Sequence, residues 1–251
     1  MSGHSKWAGI KHKKAITDAK RGQLFTKVAR EIEIAAREGG GNPENNFRLR
    51  LAIQKAKDVN MPAENIERAI KRGTGEIEST RLETLRYEGH GPSGVAIMVD
   101  VVTDNRNRTS STLRHVFAKH GGSLGEVGSV AWMFQRKGLV TASLGGKDPD
   151  EVSLAAIEAG AEDIQIEGQQ IEVQTDPKDL EQVRAALEAA GVKIENAQVT
   201  MLPTTTVEVS EENIVQVLKL LDALEDLDDV QEVYSNFEVP QEVLERVSEK
   251  V

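Results

Sequence analysis

Cysteine is absent from all 251 residues, which excludes disulfides, thiolate zinc centres, iron–sulfur ligation and cysteine nucleophiles together. Aromatic residues are only 4% of the chain, so Val, Ile, Leu and Ala must fill its cores. No run of 18 apolar residues occurs, and a membrane-spanning helix needs about 20. The opening MSGHSKWAGIKHKKA has no apolar stretch of the kind found in a secretory signal, and its first glycine is Gly3, so the myristoylation pattern fails as well. A soluble, cytoplasmic protein is expected. Enzyme signatures are equally sparse. GHGPSG, RGTGE and GGSLGEVG lack the GK[ST] ending of a phosphate-binding loop and the setting of a dinucleotide fingerprint. His115 and His120 are five apart and do not share a helix face, which disfavours a metal pair. The many Asp and Glu offer no recognisable acid–base pair, so no catalytic residue, metal or cofactor is expected.

What the chain does have is a charge step. Residues 1–75 carry 16 Lys+Arg against 8 Asp+Glu, whereas residues 76–251 carry 15 against 33. The balances of +8 and −18 combine to the overall −10. A chain that gathers cations in one third and repels polyanions with the rest is suited to touching nucleic acid at one place.

Periodicity divides the chain at about the same point. Within 15–37, Phe25, Val28, Ala29, Ile32, Ala35 and Ala36 lie on one arc at helical spacing, ended by three glycines at 39–41. Asn42 and Pro43 suggest the cap and first turn of a second helix reaching about residue 60, with Leu49, Ala52, Ile53 and Ala56 inward. Pro62 opens a third, apolar at Ile66, Ala69 and Ile70 and stopped by Gly73 and Gly75. Beyond Ser79 the spacing changes to strands at 85–88 and 95–102 around GHGPSG, the second apolar enough to be central, followed by a helix over 106–120. Residues 139–202 read strand, helix, strand, strand, helix, strand, the ferredoxin-like order. A strand at 205–209, a helix over 211–227, a strand at 230–237 and a last helix from Pro240 then need partners. The sheet begun near residue 82 is available to both strands. The expected fold class is α+β with three domains: a basic helical bundle over 1–80, a discontinuous α+β domain over 81–136 and 203–251, and a ferredoxin-like βαββαβ domain over 137–202 inserted into it.

Candidate contacts with nucleic acid begin in the tail. Lys6, Lys11, Lys13 and Lys14 supply fixed cations, His12 lies between two of them, and Trp7 either stacks on an unpaired base or packs onto the bundle. On the first helix Lys20, Lys27, Arg30 and Arg37 fall roughly opposite the apolar stripe, with Glu31 and Glu38 close enough to neutralise part of that face. Arg48 with Lys55 and Arg50 with Lys57 form two rows on the second helix, and Arg68, Lys71 and Arg72 share a face of the third. At the strand–helix junction 104–109, Arg106 and Arg108 beside a helix start suggest a secondary anion site, although Asp104 or Asn105 also serves as an ordinary cap there.

The stretches GHSKW, KHKKA, DAKRGQLFTKVAREIEIAAREGGGNPENNFRLRLAIQKAK, NMPAENIERAIKRGTG, YEGHGPSG, DNRNRT and GGSLGEVGSVAWMFQRKG, in this order, resemble the YebC family. The resemblance runs across the chain and is densest over 3–138. It implies a helical first domain, an α+β second domain and a ferredoxin-like third domain inserted into the second. It also implies a non-enzymatic role, either as a DNA-binding transcriptional regulator or on the ribosome, activating translation or relieving stalls at proline-rich sequences. Carried onto this chain, the family's basic positions become Lys6, Lys11, Lys13, Lys14, Lys20, Arg21 and Lys27, with Arg106 and Arg108 secondary. The lack of a presequence argues against the mitochondrial branch. DNA and ribosomal RNA both remain open as the partner, the acidic domains offering a surface for the ribosome or another protein. A cationic tail without base-reading residues suits irregular RNA better than a duplex. A hydrolase with an acidic interdomain cleft and a protein-only adaptor are the readings from other classes.

Overall fold

A computed structural model describes residues 18–78 and 80–247, together with Gly3 and Trp7. Three helices come first, α1 (Asp18–Gly39), α2 (Phe47–Asp58) and α3 (Ala63–Thr74). The first runs unbroken through Gly22. Its apolar arc, Val28, Ile32, Ala35 and Ala36, is buried with Leu49, Ala52 and Ala56 of α2 and Ile66 and Ala69 of α3. At Gly73 the two outer helices come close, since a Cβ there would sit 2.4 Å from the Glu33 carbonyl oxygen and 2.7 Å from the Ala36 Cβ. Gly73 is therefore a packing position inside α3, and the stop is Gly75, in the left-handed region at φ 82°.

The start of α2 corrects the expectation placed on Asn42 and Pro43. Asn42 makes a local turn, accepting from Glu44 N, and the cap is Asn46. Its Oδ1 accepts from Leu49 N at 3.0 Å while its Nδ2 donates to the carbonyls of Ala35 at 2.7 Å and Gly40 at 2.8 Å. One buried amide thus opens α2 and closes α1, which is how a polar group becomes tolerable in this core.

Next come β1 (Glu83–His90) and β2 (Ala96–Thr103), then α4 (Arg106–Lys119) and the short β3 (Ser123–Leu124). The following segment runs β4 (Phe134–Ser143), α5 (Pro149–Glu158), β5 (Ala161–Glu167), β6 (Gln170–Thr175), α6 (Leu180–Ala189) and β7 (Lys193–Pro203). The last described elements are β8 (Val207–Glu208), α7 (Glu211–Glu225), β9 (Val230–Ser235), β10 (Phe237–Glu238) and α8 (Gln241–Val247).

Strands β4 to β7 form their own sheet, in the order β5-β6-β4-β7 with every neighbouring pair antiparallel. Val140, Ala142, Ile171 and Val173 from its strands share a core with Val152, Ala156, Val183 and Leu187 of α5 and α6. A second sheet has the order β3-β1-β2-β9, so the chain leaves after β3, builds the other sheet, and returns to pair Val233 with Val99 and Ser235 with Ile97. The central β2 is buried at every position but Asp100, as its apolar run requires. Helices α4 and α7 bury Leu113, Phe117, Val217 and Leu221 in the core of this sheet. The molecule is thus a multi-domain α+β protein.

The segment 205–209 departs from expectation. It does not join the second sheet; β8 pairs in parallel with β10, Val207 opposite Phe237. Helix α7 begins directly afterwards, with Ser210 at its N-cap position, which leaves only a two-residue strand. No helix among the described residues is long and apolar enough to cross a membrane.

Candidate nucleic-acid interface

Helical spacing puts Lys27 and Arg30 of α1 one turn apart, on a flank that meets the turn between α7 and β9. That turn is acidic, with Glu225, Asp226, Asp228, Asp229 and Glu232 in eight residues. Lys27 Nζ donates to the Glu225 carbonyl. Arg30 donates to the Asp228 carbonyl at 2.6 Å, to the Asp229 carboxylate at 3.0 Å and to the Val102 carbonyl at 3.3 Å. From α2, Lys55 bridges Glu232 at 2.9 Å and Glu31 at 3.1 Å. Burial lowers the pKa of the Lys27 ammonium, and Glu225 and Glu232 offset part of that effect. The Lys55 ammonium is raised, chiefly by the Glu232 carboxylate.

Asp229 is the hub of this contact. Besides Arg30 it accepts from the Thr109 hydroxyl at 2.7 Å and from Arg108 at 3.1 Å. Burial pushes its carboxyl upward, but Thr109, Arg108 and Arg30 outweigh that and hold it below the ordinary aspartate value. Arg108 also pairs with Asp104 at 2.7 Å, and Asn105 caps α4 by accepting from Arg108 N at 3.0 Å. The secondary anion site expected at Arg108 is therefore occupied by the protein's own carboxylates. Arg106 is exposed beside it, and its backbone carbonyl accepts from the Tyr87 hydroxyl at 3.4 Å.

These positions revise the expected contact set. Lys27 and Arg30, read from the sequence as phosphate ligands, are turned onto the acidic turn, where a carboxylate and backbone carbonyls accept from them. Trp7 is corrected as a stacking residue: it is 1% exposed and lies in the same apolar cluster as Val217, Phe237 and Leu244, away from the helical bundle. Gly3 lies near it, its backbone against Phe237. Arg21 is exposed on α1. The remaining tail positions Lys6, Lys11, His12, Lys13 and Lys14 lie outside the described residues, as does the side chain of Lys20.

The third helix contrasts with the first. Arg68, Lys71 and Arg72 are exposed on α3, and among the described residues none of the three has an ion pair. Asn65, Arg68, Ala69 and Arg72, at positions i, i+3, i+4 and i+7, form one wall of a cleft of about 860 Å³. Phe25, Thr26, Ala29 and Arg30 of α1 form the opposite wall, and Glu78, Thr80, Leu82 and Asp104 close one end. Two carboxylates facing this space already have cationic partners: Glu33 pairs with Arg37 at 2.8 Å and Asp104 with Arg108.

A second feature was not legible in the sequence. Glu88 is buried on β1 and accepts from the backbone N–H groups of Gly128, Val130 and Ala131 at 2.7, 2.7 and 2.8 Å. Burial pushes its carboxyl upward, but the three donors outweigh that and leave it below the ordinary glutamate value. The loop so held displays Trp132 at 68% exposure and Val127 at 92%. Among the described residues no cluster of three or more His, Asp or Glu is placed to hold a metal ion.

Comparison with known proteins agrees with this architecture. Residues 5–76 match the model of the TACO1/YebC protein N-terminal domain, and residues 82–237 match that of the TACO1/YebC second and third domain. A probable transcriptional regulatory protein of Persephonella marina is 57% identical over 250 residues, covering 99% of this chain and 100% of its own. Its counterpart in Halothermothrix orenii is 55% identical over 253 residues, covering both chains completely. The crystal structure of a conserved hypothetical protein from Aquifex aeolicus superposes with a TM-score of 0.82 at 54% identity, covering 93% of this chain and 97% of the other.

Proposed function

Because the chain belongs to the TACO1/YebC family, we propose that it is a cytoplasmic, non-enzymatic regulator of gene expression that acts by binding nucleic acid through its basic helical domain. The domains in this reading are 1–80, the discontinuous 81–136 with 203–251, and 137–202, the last two serving as spacer or protein-contact surface. The observation that carries it is the set of exposed cations on α3 that have no ion pair among the described residues, in a chain whose net charge is −10. An acidic protein has carboxylates in excess, so cations left without one are available to phosphate. The names of the curated relatives favour transcription, and in this first reading the partner is DNA.

One observation favours a second reading, in which the partner is ribosomal RNA and the process translation. The longest helix of the basic domain has Lys27 and Arg30 engaged by the acidic turn, so that flank is not available to lie along a major groove, whereas irregular RNA is recognised by shape and unstacked bases. Titration of the full chain with labelled duplex DNA and structured RNA at two salt concentrations tests both. Binding that weakens steeply with salt supports the proposal, and the tighter ligand chooses between the readings. No binding to either would refute it.

A further inference from the structure

We propose that the cleft between α1 and α3 is a binding site for a short single-stranded segment of RNA, its phosphates on Arg68 and Arg72 and one unstacked base against Phe25. The proposal rests on the nucleic-acid reading above and assigns it a place.

The first ground is charge. Three carboxylates line the space, but Glu33 and Asp104 are neutralised by Arg37 and Arg108, and the Arg30 guanidinium is committed to Asp229. What remains is Arg68 and Arg72 against Glu78, a net cation on the wall of a concave space. Two arginines four residues apart on a helix stand one above the other, as successive phosphates of an extended strand require.

Size and lining supply the second ground. At about 860 Å³ the cleft is in the range of pockets that enclose small ligands, about 300–1,000 Å³. It admits a few nucleotides of one strand and not a duplex, whose major groove alone is about 12 Å wide. Phe25, Ala29, Met61 and Ala69 give the cleft an apolar lining, and Phe25 among them is half-buried. Aromatic floors with basic rims are how single strands are gripped, the ring taking a base face and the cations the backbone. Glu78 decides between RNA and DNA. A carboxylate only accepts hydrogen bonds, and beside a phosphate strand it is repulsive unless it meets a donor; the ribose 2′-hydroxyl is such a donor, and deoxyribose has none.

The test uses the full chain with a fluorescent oligoribonucleotide of about ten nucleotides, within the range of known single-strand sites, and with its deoxy counterpart. Arg68→Ala combined with Arg72→Ala should weaken RNA binding about tenfold and reduce the slope of log affinity against log salt by about 1.4, the value for two lost single-strand phosphate contacts. An exposed lysine on the third domain, Lys178→Ala, should change neither. Both arginines are exposed, so the variant is expected to fold, and its melting temperature checks that. Wild-type binding with an unchanged double variant would overturn the cleft and leave the nucleic-acid reading standing. Equal or tighter binding of the deoxy strand would overturn the choice of RNA. If the wild-type chain binds no nucleic acid, the broader reading fails and the cleft with it.

Discussion

Helices α1 and α3 both carry cations on a surface flank, and the structure uses them oppositely. Lys27 and Arg30 on α1 are hydrogen-bonded across a domain boundary to carbonyls and a carboxylate of the acidic turn. Arg68, Lys71 and Arg72 on α3 are exposed, with no ion pair among the described residues. Counting charges along the sequence makes the two sets equivalent. The difference teaches that a basic domain tethered to acidic ones spends part of its charge on holding the molecule together, and that binding capacity is what is left over.

Trp7 provides the hardest test of the inward side. If it is a core residue, Trp7→Ala should destabilise the chain by about 3–5 kcal/mol, measured by chemical denaturation. A variant that kept its stability and lost only nucleic-acid binding would return Trp7 to the interface. Asp229→Ala should cost less, about 2–3 kcal/mol, because it removes the carboxylate that Arg30, Arg108 and the Thr109 hydroxyl share. Its counterpart on the outward side, Arg68→Ala with Arg72→Ala, should change stability by no more than about 0.5 kcal/mol. A comparable loss in both variants would erase the contrast between the two helices.

Titration sharpens the same contrast. Asp229 and Glu88 are both held below their ordinary values in the folded chain. A depressed carboxyl binds protons more weakly when folded than when unfolded, so its stabilisation is complete above the unfolded values of about 3.9 and 4.3 and is lost as pH falls through the folded ones. Melting temperature should therefore drop below about pH 4, and Asp229→Asn should flatten part of that drop. Substituting Arg68 and Arg72 should leave the profile unchanged.

Much of the fold was legible because it rests on local periodicity. The apolar arc Val28, Ile32, Ala35 and Ala36, the continuous apolar β2 and the strand–helix alternation over 139–202 each announce their element. Asn46 was missed because Asn42 followed by Pro43 carries the stronger local cap pattern; choosing between them takes the distant carbonyl of Ala35, which only Asn46 reaches. The β8 segment was misplaced for a similar reason, since a short apolar run fits any edge until the helix after it fixes its length. The candidate site was the least legible part. Lys27 and Arg30 looked free because their partners lie about 200 residues away in sequence, and nothing in LEDLDD shows that it folds against α1. Glu88 is likewise an ordinary strand glutamate until the loop at 128–131 closes over it.

Hydrogen exchange of the full chain, with and without a saturating oligoribonucleotide, tests the division of labour between the two helices most directly. Slowed exchange over 63–74, with the acidic turn at 225–232 unchanged, is the expected result: RNA seats on α3 while Lys27 and Arg30 keep their grip. Faster exchange over 225–232 with slowed exchange confined to α1 would contradict it, since the inward cations would then have left the acidic turn for the RNA.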